Sequence, residues 1–240
     1  MSVATVYERF PALESILDRE SAHVTKIVQE MDGEKRLAII AQHASFLTEH
    51  GFSGNDLENI VHGTGWQEKI NWIITNYDTV LNPMRFKSYH VGCIVVGADW
   101  NAKLDWAKNN FKTILEPMGF NGYHYSQIVT NADWNAKLDW AKNNFKTILE
   151  PMGFNGSHYS QIVRNDDWNA KLDWIVAHYA SDLHPLGITQ STAAKIVRGG
   201  EWKEKLQWTI KHFPKSGRRQ SELCSILEKS DWKEQLGYAA

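Results

Sequence analysis

Residues 99–122 read DWNAKLDWAKNNFKTILEPMGFNG, and the same run recurs without change at 133–156. The offset, 133 minus 99, is 34. Weaker copies follow the same step. One tryptophan series is Trp66, Trp100, Trp134, Trp168 and Trp202; a second is Trp72, Trp106, Trp140, Trp174 and Trp208. Trp232 starts a shortened last copy, which accounts for all 11 tryptophans. Pro83, Pro117, Pro151 and Pro185 keep the step, as do Ile60, Ile94, Ile128, Ile162 and Ile196, each followed by Val. A fixed period of this size means an array of stacked supersecondary units, not one closed globule.

The units fall at 51–84, 85–118, 119–152, 153–186 and 187–216. A degenerate unit at 18–50 precedes them, with Ile27-Val28 in the Ile-Val position, and a partial unit at 217–240 follows. Residues 1–17 read as an N-terminal cap, since the end of a stacked array must cover an open core. In 119–152, residues 123–129 form a short first helix and Thr130-Asn131-Ala132 a loop. Asp133 stands as N-cap of a second helix from Trp134 to about Glu150, which Pro151 and Gly153 break. Glu68, Glu204 and Glu234, three residues past their caps, read as capping-box acids. Trp134, Leu138, Ala141, Phe145 and Leu149 share one helical stripe, and Trp140 lies about 120° away. A stacked helix touches the unit before and the unit after, so two apolar faces are expected, and the tryptophans read as packing between repeats. The expected fold class is all-α: an α-solenoid of tandem 34-residue helical hairpins.

Composition narrows the function classes. The 240 residues carry 26 Lys and Arg against 28 Asp and Glu, a formal net charge of −2. Net charge alone does not point to nucleic acid, although a solenoid can carry opposite signs on opposite faces. Cys93 and Cys224 cannot form a disulfide framework, so a reducing intracellular compartment is expected. No apolar run approaches the roughly 18 residues of a membrane span, and MSVATVYERF lacks the apolar core of a signal peptide. No HExxH, CxxC, GxxxxGK[ST] or GxSxG occurs. His90, His124 and His158 recur once per unit, a spacing too wide to share one metal ion, and read as solvated or packing positions. Asp105, Asp139 and Asp173 recur opposite the apolar stripe and read as a solvated face. Neither an enzyme nor a cofactor is expected.

Up to Trp140 and Trp174, units 119–152 and 153–186 differ at three positions: Tyr123 against Ser157, Thr130 against Arg164, and Ala132 against Asp166. Two of these lie in the loop between the helices. Across the array that loop reads His62-Gly63-Thr64, Val96-Gly97-Ala98, Thr130-Asn131-Ala132, Arg164-Asn165-Asp166, Arg198-Gly199-Gly200 and Glu228-Lys229-Ser230. A constant frame around a changing loop suits a modular reader; drift in an exposed loop would look the same.

In period, helix lengths and loop position, the chain resembles the TAL-effector-like DNA-binding repeat proteins of bacteria over about 18–240. The matching stretch runs from Tyr159-Ser160-Gln161-Ile162-Val163 through Arg164-Asn165-Asp166 to Asp167-Trp168-Asn169-Ala170-Lys171-Leu172. The resemblance implies a right-handed superhelix that reads duplex DNA, one base per repeat. It places the variable pair at Gly63-Thr64, Gly97-Ala98, Asn131-Ala132, Asn165-Asp166, Gly199-Gly200 and Lys229-Ser230. One residue of each pair would contact a base and the other would brace the loop. Asn and Asp suit adenine and cytosine edges. The start of the second helix would face the phosphates.

There the sequence departs. The family's Gly pair is replaced by Asp99-Trp100, Asp133-Trp134, Asp167-Trp168, Glu201-Trp202 and Asp231-Trp232; Gly65 alone remains. An acidic N-cap would occupy the helix-start amides and put negative charge where a phosphate would sit. Lys69, Lys103, Lys137, Lys171 and Lys205 recur one turn later and, with Lys203, are the expected phosphate-backbone contacts; an i,i+4 acid–Lys pair is the alternative for that ladder. The expectation is a monomeric nucleic-acid-binding array without membrane association. It would sit in the bacterial cytoplasm or nucleoid, or in a host nucleus for a secreted effector. The alternative is a protein-interaction solenoid, an effector or adaptor scaffold, which near-neutral charge and acidic helix starts favour.

Overall fold

The computed structural model describes residues 2–17 and 22–237. Met1, the first residues of the degenerate unit (18–21) and the last three of the partial unit (238–240) lie outside the described residues. The chain is all-α, with no strand among the described residues. It divides into two compact units, Met1–Pro117 with Asn121–Ser126, and Met118–Phe120 with Gln127–Ala240.

In the first unit, Val3–Arg9 and Pro11–Ser15 precede a degenerate hairpin, Ala22–Gln29 and Gly33–Gln42, extended by Ala44–Glu49. Two hairpins follow. Gly54–Val61 is paired with Trp66–Asn76, and Ser88–Ile94 with Trp100–Asn110. In the second unit the short helices Gly156–Ile162, Gln190–Arg198 and Gln220–Leu227 precede Trp168–His178, Trp202–His212 and Trp232–Gln235. Trp134–Trp140 begins the long helix of 119–152, whose short helix is Gly122–Val129. Within each unit, neighbouring short helices pack against one another in sequence order, the stacking of an α-solenoid.

The stripe lies where its period places it. Leu138, Ala141, Phe145 and Leu149 are fully buried, as are the Ile-Val pairs at 60–61, 94–95 and 162–163. The second tryptophans pack on aromatic partners: Trp106 stacks on Tyr125 at 5.8 Å, and Trp140 on Tyr159 at 5.7 Å. Each of those tyrosines belongs to the following repeat and donates its hydroxyl to a lysine carbonyl of the previous one, Tyr125 to Lys103 and Tyr159 to Lys137, both at 2.5 Å. An aromatic face with one polar tip thus joins consecutive repeats.

Two local expectations are corrected. The second helices do not run as plain α-helix to the proline. Tyr77–Leu81, Phe111–Leu115, Ala141–Leu149 and Tyr179–Leu183 are π-helical, and the following 3₁₀ turns, such as Glu150–Met152, contain the proline. Asn76, Asn110 and Asn144 donate to the carbonyl four residues back, a side-chain bond of the kind that disturbs a regular ladder. Pro151 is tolerated because the first turn has no use for its missing N–H. The stop is the left-handed Gly153, with φ 81°.

The capping boxes also sit elsewhere. No side chain caps the second helices, so Glu68, Glu204 and Glu234 take part in none. Their N-cap residues are not extended: Gly65, Asp133 and Glu201 have φ 71°, 56° and 54°, and Asp99 and Asp167 lie near φ −94° and −84° with ψ of 15° and 19°. An N-cap side chain reaches its amide from the β region. The short helices meet that condition. Ser53 accepts from Asp56 N–H, and Asn155 from His158 N–H. The histidine ladder completes these boxes: Nδ1 of His90, His124 and His158 accepts from the backbone N–H of Lys87, Asn121 and Asn155 at 3.0, 3.3 and 3.2 Å.

Candidate ligand-binding loop ridge

In each unit the interhelix loops lie at the surface, and their residues change from repeat to repeat. The second member of every variable pair is exposed: Thr64, Ala98, Ala132, Asp166, Gly200 and Ser230. The first members differ in role. Asn131 is half-buried and donates Nδ2 to the Gln127 carbonyl of its own short helix at 3.0 Å, so it braces its loop. Asn165 is exposed and donates to the Arg198 carbonyl of the next loop at 3.0 Å, while Arg198 pairs with Glu228 of the loop after that. Lys229 bonds Gln235 at 3.1 Å. Gly63 and Gly97 take φ of 72° and 97°, which a glycine adopts freely; Gly199 is half-buried over Lys205.

Between consecutive loops the surface dips. A notch of about 390 Å³ lies between Ile27–Met31 and the end of Gly54–Val61. One of about 200 Å³ lies between 62–64 and 96–98. In the second unit, one of about 300 Å³ lies between Asn165 and Gly199–Glu204.

The lysine ladder is not on that surface. Lys69, Lys103, Lys137, Lys171 and Lys205 are 4, 4, 0, 1 and 5% exposed, so they form no solvent-facing basic stripe for a phosphate backbone; Lys69 and Lys171 meet solvent at the notches they help to line. The stem packs in the hairpin and the head turns back under the loop. Lys69 Nζ donates to the His62 carbonyl at 3.3 Å and Lys103 Nζ to that of Val96 at 3.4 Å, so in these two repeats a cation closes the negative end of the short helix. Arg36 takes this place in the degenerate hairpin: it is 4% exposed and bonds the carbonyls of Met31, Val61 and Gly63. Desolvation pushes the ammonium pKa of Lys69, Lys137 and Lys205 down. Lys203 is exposed, beside the ring of Trp202.

The acids before each tryptophan do something the sequence reading missed. Asp167 Oδ2 accepts from Trp202 Nε1 at 2.7 Å, and its Oδ1 lies 2.7 Å from Lys171 Nζ. Glu201 accepts from Trp232 Nε1 at 2.7 Å. Asp99 pairs with Lys103 at 2.8 Å. Asp167 and Glu201 thus tie one repeat to the next, and all three acids leave their own helix-start amides uncapped. Hydrogen bonds to Lys171 and Trp202 outweigh burial and hold the Asp167 carboxyl below the usual range. The readable signal was the acid-Trp dipeptide at a 34-residue step, which in the second unit sets Asp167 and Glu201 beside the next repeat's indole.

The exposed charge in and beside the loops is mixed. Asp99, Asp133, Asp166, Asp167, Glu201 and Asp231 face solvent, as do Arg164, Lys203 and Lys229. Among the described residues, no group of His, Cys, Asp and Glu could hold a metal ion, and no helix is long and apolar enough to cross a membrane. Cys93 and Cys224 are both free thiols. Comparison with protein-family models and with curated proteins returns no match.

Proposed function

We propose that the chain is a modular nucleic-acid-binding array that meets duplex DNA with its interhelix loops, one loop per base. The observation that carries this reading is the division of labour in the loops. The second residue of every variable pair is solvent-facing, and Asn131 in the first position is spent on bracing its own loop. Asp166 suits a cytosine amine; Ala132 and Ala98 suit a thymine methyl. With the ladder lysines buried, backbone attraction falls to Arg164, Lys203 and the uncapped amides at the helix starts, so affinity is modest and its salt slope shallow. The test is fluorescence anisotropy with random-sequence duplex across a salt series, followed by sequencing of the bound fraction. The expected outcome is a short enriched motif that Asp166→Ala relaxes at one position, by about 1–3 kcal/mol of discrimination. Absence of binding to any duplex at low salt refutes the reading.

A second reading, a protein-interaction scaffold, is favoured by the exposed acids Asp99, Asp133, Asp167, Glu201 and Asp231, which recur once per repeat beside the loops. Negative charge at that spacing repels a phosphate backbone and attracts basic side chains. A polypeptide ligand would then occupy the same loops, and DNA would not compete for it.

A further inference from the structure

The repeats carry, inside themselves, a template for a ligand that one of them lacks. In 153–186, a single carboxylate, that of Asp167, bridges Lys171 Nζ and Trp202 Nε1 with one oxygen each, both at 2.7 Å. In 187–216, Glu201 accepts the indole N–H of Trp232. In 51–84 the corresponding residue is Gly65, which has no side chain, yet both donors remain. Lys69 is buried, and its ammonium makes one long hydrogen bond, 3.3 Å, to a carbonyl. Trp100 Nε1 lies 3.8 Å from where a Gly65 Cβ would stand. No acid is paired with either donor among the described residues.

We propose that this vacancy beside Gly65 is a carboxylate-binding site, taking the Asp or Glu side chain of a polypeptide ligand between Lys69 Nζ and Trp100 Nε1. Gly65 itself is exposed, and Lys69 also lines the notch of about 200 Å³ between loops 62–64 and 96–98. Desolvation, and after it the charge of buried Arg36, depress the Lys69 ammonium, and an incoming anion offsets both. A planar carboxylate matches the donor pair because Asp167 already shows that fit. The neighbouring acid is Glu68, exposed, with Oε2 3.9 Å from the same Cβ position, where it competes with a ligand. The inference rests on the second reading above, in which a polypeptide meets these loops; duplex DNA there would cover the notch.

The test follows the indole N–H resonances of the ¹⁵N-labelled full chain as sodium acetate replaces sodium chloride at constant ionic strength. Trp100→Phe identifies the Trp100 signal. Acetate should move that signal saturably, and a blocked Gly-Glu-Gly peptide should move it the same way. Lys69→Met should weaken the midpoint about tenfold, and Glu68→Gln should strengthen it. Gly65→Glu should fill the site from within: the Trp100 signal shifts without ligand and no longer answers acetate. Glu201 holds the same left-handed N-cap as Gly65 and from it accepts the indole N–H of the next repeat, so Glu at 65 suits this backbone. A Trp100 signal unmoved by acetate in both the parent chain and Glu68→Gln overturns the proposal. So does a folded Gly65→Glu whose Trp100 signal stays in place. Inorganic phosphate moving the signal where acetate does not would overturn the carboxylate assignment, and acetate binding without peptide binding would overturn the polypeptide source.

Discussion

Replacing Lys137 by Met should stabilise the chain, an unusual direction for a buried position. Lys137 is 0% exposed, and its Nζ has no hydrogen-bond partner. Desolvation pushes its ammonium pKa down, and the charges of Asp133 and Asp166 only partly oppose this. Lysine's stem and Met have similar length, so Lys137→Met keeps the packing and removes an unsatisfied buried cation. Such a group costs about 1–3 kcal/mol. At this chain length each kcal/mol moves the melting midpoint by about 2–4 °C. Lys171 provides the control in a closely matched repeat. Its ammonium is paired with Asp167 at 2.7 Å, so Lys171→Met should leave stability level or lower it by about 1 kcal/mol. The pH dependence has a fixed sign. Lys137 binds its proton less tightly folded than unfolded. Above the ordinary lysine range both states are neutral and there is no penalty. As pH falls through that range the unfolded chain takes up its proton first, so the full penalty is present at pH 7. The gain from Lys137→Met, measured by urea melts with circular dichroism and Trp fluorescence, should therefore shrink between pH 7 and pH 10. If Lys137→Met destabilises as much as Lys171→Met, or its effect does not change with pH, the reasoning fails.

Three further outcomes follow from the packing. His90, which caps its short helix through a neutral Nδ1, has its pKa lowered from 6.5 to about 4, by desolvation first and then by Lys87 and His124. Its contribution is complete above pH 6.5 and falls as pH drops toward 4, by at most about 3 kcal/mol; His90→Gln should flatten that acid limb in a pH series of urea melts. Gly122→Ala would set a Cβ 2.6 Å from Phe86 Cδ1 and 2.9 Å from His90 Nδ1. Phe86 is buried and cannot give way, so a loss of about 1–3 kcal/mol is expected in thermal melts. Trp202→Phe removes the indole donor from Asp167 and should cost about 1 kcal/mol more than Trp174→Phe, which breaks no acid–Trp bond; equal losses in paired urea titrations would mean that this bond adds nothing.

How far the sequence could be read varied with the reach of the interaction. The duplicated run at 99–122 and 133–156 made the hairpin, its length and its buried stripe legible, because a repeat exposes its own period. The π-helical turns were not legible: three of them have Asn76, Asn110 or Asn144 bonded to a helix carbonyl four residues back, while Tyr179–Leu183 follows His178, which bonds Asp182 instead. The capping boxes were sought at the acids of the second helices and occur at the histidines of the first. What decides this is backbone dihedral, not residue type: Ser53 and Asn155 are extended, whereas Asp133 and Glu201 are left-handed.

The candidate site divides the same way. The position of the variable loops and the exposure of Thr64, Ala98, Ala132, Asp166, Gly200 and Ser230 followed from the sequence alone, because a loop between two amphipathic helices must face solvent. The fate of the charges did not. Lys69, Lys103, Lys137, Lys171 and Lys205 look like a basic stripe when written along the chain. Only tertiary structure turns them inward, because a long stem can bury its methylenes in the hairpin and bring its ammonium to a helix end that has spare carbonyls. Asp167 and Trp202 stand 35 residues apart and share a hydrogen bond for the same kind of reason: stacking one repeat on the next brings together groups that no local rule relates. The sequence therefore determined the repeat, its helices and which loops vary, since those depend on period and polarity. Tertiary structure decided which charges remain free to meet a ligand, since that depends on partners one repeat away.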